Sequence, residues 1–133
     1  MRKEFNTWEQ PTFDDDGWTK YGWRCQNHKK LKLGKYVDIG CFTYINAACN
    51  VSMMDNVQVG SHCSIYSIST IDKKEGPVIL KTNACIGTHS TIMPNVTVGE
   101  NSIVAAHSFV RDGTIILDNE LWVGVPAKKI GVV

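Results

Sequence analysis

Three histidines share one place in a short repeat: His62 in "GSHC", His89 in "GTHS" and His107 in "AAHS". An imidazole with an unperturbed pKa of about 6.5 can take a proton from a hydroxyl or an amine near neutral pH. General base catalysis is therefore what these residues offer, provided the chain holds them outward and beside a groove. The competing reading is a solvated polar residue on an exposed position, and His62 is left with that reading.

The elements that hold them follow from spacing. In "ACIGTHSTIMPNVTVG", residues 84–99, aliphatic residues return every six positions. The same step links Leu33, Ile39, Ile45 and Val51, then Val59 and Ile65, then Leu80, Ile86, Ile92, Val98, Val104 and Val110. Gly34, Gly40, Gly60, Gly87 and Gly99 each follow one of these residues. Four places after nearly every aliphatic stands a small or short residue: Val37, Thr43, Cys49, Cys63, Ser69, Ala84, Ser90, Val96, Ser102, Ser108 or Thr114. The Val51 repeat reaches Asp55 and breaks the rule.

A helix needs a period near 3.6 and a half-buried strand a period of two, so neither explains a period of six. Short strands joined by turns do, with the aliphatic and the small residue facing a narrow core and glycine taking the turn conformation closed to most residues. Three such repeats make a triangular coil, and coils stack as parallel strands about 4.8 Å apart. The expected fold is all-β, a parallel β-helix. His89 and His107, eighteen residues apart, then lie one coil apart on one face. His62 precedes His89 by twenty-seven residues; with three extra loop residues removed it falls one face earlier, away from the other two.

Two breaks mark where the chain leaves the coil. Val51 to Val59 takes eight residues and Ile71 to Leu80 takes nine, with polar "DKKEGP" in the second, so a projecting loop is expected near residues 72–79. Residues 1–30 carry Trp8, Trp18 and Trp23 around Asp14, Asp15 and Asp16 and read as a cap on the first coil. Residues 31–116 form the β-helix and 117–133 a second cap.

Fourteen basic and thirteen acidic residues give no basic field for nucleic acid or membrane surface. No leader and no membrane-spanning run is legible, which points to the cytoplasm. Cys25, Cys41, Cys49, Cys63 and Cys85 form no CxxC pair, so reduced thiols and no metal centre are expected.

The segments "IGCFTYINAACNV" (39–51), "IGTHSTIMPNVTVGENSIV" (86–104) and "VGVPAKKI" (123–130) make the chain resemble the hexapeptide-repeat acyltransferases, most of all the galactoside and maltose acetyltransferases and related sugar acetyltransferases. The resemblance spans about residues 33 to 130. It implies a left-handed coil, a homotrimer with active sites between subunits, acetyl-CoA as acyl donor, and a sugar or nucleotide-linked sugar as acceptor. It gives His89 the role of general base, Asn46 and Tyr44 a place at the acceptor, and Ala105, Ala106, Lys128 and Lys129 a place at the cofactor. Where sugar acetyltransferases often read "GAGS", this chain reads Ala105-Ala106-His107-Ser108, which puts a ring on the expected path of the pantetheine arm. His107 is accordingly a contact of cofactor or acceptor, or an aid to His89. A γ-carbonic-anhydrase-like zinc enzyme shares the fold, but no histidine pair five residues apart is present. A non-catalytic scaffold is the third reading.

Overall fold

The computed structural model describes residues 7–133. The period of six builds three parallel sheets that enclose one narrow core. Face A stacks β1 (Arg24–Gln26), β4 (Tyr44–Asn46), β7 (Ser64–Tyr66), β12 (Thr91–Ile92) and β15 (Phe109–Val110). Face B stacks β2 (Leu31–Leu33), β5 (Val51–Met53), β10 (Val78–Leu80), β13 (Thr97–Val98) and β16 (Ile115–Ile116). Face C stacks β3 (Asp38–Ile39), β6 (Gln58–Val59), β11 (Cys85–Ile86), β14 (Ile103–Val104) and β17 (Glu120–Gly124), and β18 (Ala127–Val132) folds back antiparallel on β17. Register puts like on like: Cys25, Ile45, Ile65, Ile92 and Val110 form one inward ladder, all buried.

The small position is more than a space-filler. Thr43 Oγ1 donates to the Gly60 carbonyl (2.8 Å) and accepts from the Cys63 N–H (3.1 Å). Ser90 Oγ donates to the Ala105 carbonyl (3.1 Å) and accepts from the Ser108 N–H (3.2 Å). These buried hydroxyls rivet one coil to the next with bonds that water cannot contest.

The glycines differ from expectation. Gly40, Gly60 and Gly87 do not take the positive-φ turn; they let coils approach, since a Cβ on Gly87 would stand 2.4 Å from the Ala106 backbone nitrogen. The left-handed residue comes two places later. It is asparagine at Asn56, Asn83, Asn101 and Asn119 along one edge, and at Asn50 and Asn95 along another. Asparagine reaches that conformation at lower cost than most side chains.

Both breaks fall on the edge from face A to face B, and both are placed differently from the sequence reading. Met53, not Val51, pairs with Leu33 and Leu80 in the inward register, so the two extra residues precede Met53 and Val57 fills the small position that Asp55 could not. Ile71 is 94% exposed and belongs to no coil. The excursion is a hairpin of β8 (Ile68–Ser69) and β9 (Lys74–Glu75), and Val78 and Ile79, expected in the loop, are already back in β10. Asn95 Nδ2 donates to the Glu75 carbonyl (2.8 Å) and Lys74 faces Asp112 at 3.7 Å, so the hairpin leans on later coils.

The first coil starts at Arg24, inside the segment read as a cap. Trp23 is buried against the core, and Phe13 meets its ring edge-on at 5.6 Å. The Trp8 indole N–H donates to the Val37 carbonyl (3.0 Å). Asp14 Oδ1 accepts from the N–H groups of Asp16 and Trp18, both at 2.9 Å, which gives that carboxylate a local structural role.

Candidate active site

The edge from face C to face A turns four times through the same four places: Gly40-Cys41-Phe42-Thr43, Gly60-Ser61-His62-Cys63, Gly87-Thr88-His89-Ser90 and Ala105-Ala106-His107-Ser108. The third residue of each is the positive-φ one, with φ of 65°, 58°, 59° and 58° for Phe42, His62, His89 and His107. A residue in that conformation directs its side chain off the corner. The backbone beneath is fixed by the hydroxyl rivets and by N–H bonds from His89 to Ser61 O (3.1 Å) and from His107 to Thr88 O (3.0 Å).

The side chains form one column. Phe42 lies 5.2 Å from His62, His62 4.8 Å from His89, and His89 5.0 Å from His107, with the last two ring pairs stacked at 10° and 1°. His62 therefore joins the other two, against the sequence reading. Its twenty-seven residues to His89 are one coil of eighteen plus nine extra, because Ile71 lies in the hairpin and does not count as a core position.

An open groove of about 860 Å³ runs down face C to this edge, lined by the outward side chains of Asp38, Gln58, Cys85 and Ile103 and by Ser61, Thr88, Ala105 and Ala106. Its upper part is apolar and its floor is strand backbone. Burial raises the Cys85 thiol above its ordinary range, raises Cys63 likewise, and pushes Cys25 up to about 12. These three thiols stay protonated at neutral pH.

On face A, Tyr44 occupies the first outward row after the edge, beside Ser64 and Thr91. Burial holds its phenol above the ordinary range, and its O–H donates to Gln26 Oε1. Asn46 ends the same strand. Its Oδ1 accepts from the Ala48 N–H (3.1 Å) and from Asn27 Nδ2 (3.3 Å), and its φ is not left-handed. Within one chain, Asn46 sits toward the far edge of face A from His89.

Residues 77–119 match the bacterial transferase hexapeptide family with its six repeats. A provisionally named acetyltransferase of Staphylococcus aureus strain Mu50 is 31% identical over 129 residues, 84% of this chain and 57% of that protein. The chain thus carries the hexapeptide repeats of that transferase family, and its likeness to the Staphylococcus aureus protein extends over most of its own length. It spans just over half of the length of that curated relative. AntD, an N-acyltransferase from Bacillus cereus seen in complex with dTDP-4-amino-4,6-dideoxyglucose and coenzyme A, superposes with a TM-score of 0.68 at 26% identity, over 86% of this chain and 78% of AntD. A maltose O-acetyltransferase from Clostridium difficile shares the fold, with a TM-score of 0.75 at 24% identity over 84% of this chain and 64% of that one.

In this hexapeptide-repeat chain the other expected site residues divide. Ala105 and Ala106 line the groove. Lys128 and Lys129 lie on β18, outside the groove lining, and project to different surroundings. Lys129 Nζ pairs with Glu120 Oε2 at 3.0 Å, while Lys128 lines a separate cleft of about 410 Å³ with Arg111 and Asp112. The sequence reading set His62 on a neighbouring face and passed over Phe42. The signal for both was the third place of the turn, once the hairpin is counted out of the coil. No group of histidine, cysteine or acid side chains among the described residues is arranged to hold a metal ion, and no helix there is long and apolar enough to cross a membrane.

Proposed function

We propose that this chain transfers an acetyl group from acetyl-CoA to a hydroxyl or amino group of a sugar or nucleotide-linked sugar, in surface-glycan synthesis, with His89 as general base. The observation that carries the reading is the junction of the face C groove with the histidine edge: a channel with an apolar upper wall at Ile103, Ala105 and Ala106 stops where an exposed imidazole stands. That wall suits a pantetheine arm, and acetyl-CoA would supply an activated thioester carbonyl. His89 takes the proton of the attacking oxygen or nitrogen, which raises its nucleophilicity without a covalent enzyme intermediate. Backbone N–H groups near the next coil are the donors available to an oxyanion.

Tyr44 and Asn46 are the acceptor-side groups in this reading, with His107 above the base. They stand away from His89 within one chain, which favours an acceptor site completed by a second subunit of a homotrimer. Acetyl-CoA is a cytoplasmic metabolite, and the proposed place of action is the cytoplasm.

Replacement of His89 by alanine should lower turnover at least 100-fold, within the range for loss of a general base, and leave the far-UV circular dichroism unchanged. Thiol release from acetyl-CoA, assayed over a panel of sugars and nucleotide amino sugars, measures this. Turnover at the unsubstituted rate would remove His89 from the reaction.

A further inference from the structure

The left-handed turn position is filled mostly by asparagine along two edges of the prism, with Tyr36 opening one and Gly113 closing the other, whereas Phe42, His62, His89 and His107 occupy it along the third. The backbone therefore does not ask for a ring there. Phe42 has no ring nitrogen, yet its ring meets that of His62 at 5.2 Å, tilted by 41°, so the property shared by all four residues is a planar ring and not a titratable nitrogen. Parallel imidazoles present their N–H groups and lone pairs edge-on. Such rings neither hydrogen-bond to one another nor turn their lone pairs toward one ion, which argues against a proton relay along the column and against a shared metal.

We propose that His62 is a positioning residue for His89. Its ring lies under that of His89 as His107 lies over it, and Phe42 supports His62 from below. An exposed histidine samples several rotamers, and each competes with the reactive one. Clamping its ring between two others removes that freedom before the acceptor arrives and keeps one edge presented beside the groove. The inference rests on His89 being the base.

The test compares His62→Asn, which keeps the turn and removes the ring, with His62→Phe, which keeps the ring and removes the imidazole. With acetyl-CoA and dTDP-4-amino-4,6-dideoxyglucose as probe substrates, His62→Asn should lower kcat by between about 10- and 100-fold, with KM for acetyl-CoA nearly constant. His62→Phe should restore most of the loss. In NMR spectra of the whole protein the His89 ring protons, shielded by the rings on either side, should lose part of that shielding in His62→Asn and keep it in His62→Phe. Unchanged kcat in His62→Asn, or a loss that phenylalanine does not rescue, would overturn the positioning role. Should His89→Gln turn over like the unsubstituted chain, the base assignment falls and the shielding still decides whether the clamp exists. Should no form act on this acceptor, unshielded His89 protons in the unsubstituted chain overturn the clamp and shielded ones support it.

Discussion

Glu120 shows how a single side chain closes this solenoid. Its residue is only 7% exposed, and its carboxylate accepts from Lys129 (3.0 Å), the Leu117 N–H (2.8 Å) and the Trp122 indole (3.1 Å). Hydrogen bonding from Lys129 first, then from Leu117 and Trp122, holds the carboxyl below its ordinary value of 4.5. A carboxyl depressed in the folded state stabilises at pH above its unfolded value and loses that contribution as pH falls through the lower folded one. The difference in Tm between the unsubstituted chain and Glu120→Gln should therefore be largest near neutrality and shrink below about pH 4. A difference that does not change on acidification would show that the carboxylate charge is immaterial. Of the lysine pair expected at the cofactor, Lys129 is engaged by this carboxylate, and strand alternation turns Lys128 to the other side.

At the scale of the turn, glycine and asparagine divide two tasks that the sequence reading gave to glycine alone. Gly87→Ala should cost about 1–3 kcal/mol, because the new Cβ would press on backbone of the next coil, 2.4 Å from the Ala106 nitrogen, where no side chain can swing away. A drop in Tm of several degrees is the expected result, and an unchanged Tm would show that the coils can spread. The parallel coil, its inward aliphatics and most of its small inward residues were legible from period alone, since a six-residue step with two inward places has few other solutions. At the edge from face A to face B, Ala47 and Ser67 are buried where Cys49 and Ser69 were expected, and the hydroxyl rivets carry no signal in spacing. Coil height was less legible. Ile71 fits the spacing by type, yet an aliphatic residue at the tip of a hairpin cannot be told from one in the core by its position in a string. That one residue moved His62 from the column to a neighbouring face. Phe42 carries no group that titrates, and its place in the column shows only once its ring is seen against that of His62.

For the whole molecule, the groove and the residues proposed for the acceptor, Tyr44 and Asn46, lie on different faces, with one edge between them. A site that needs both is assembled more readily from two chains than from one. Sedimentation velocity should accordingly find a species of three times the 14.8 kDa chain mass, and a monomer at micromolar concentration would require the acceptor site to be complete within one chain. The relatives that this chain resembles are longer, so the acceptor specificity of each can be set by segments outside the shared coil.

The hairpin at Ile68–Glu75 lengthens one coil by nine residues, and the strands on either side of it nevertheless pair in register. The prism thus behaves as a ruler whose marks are set by hydrogen bonding and not by chain length. An edge can take up inserted sequence of arbitrary size while every later rung keeps its height. For the histidine edge this means that its spacing is insulated from change on the other two, and each rung can be exchanged one side chain at a time.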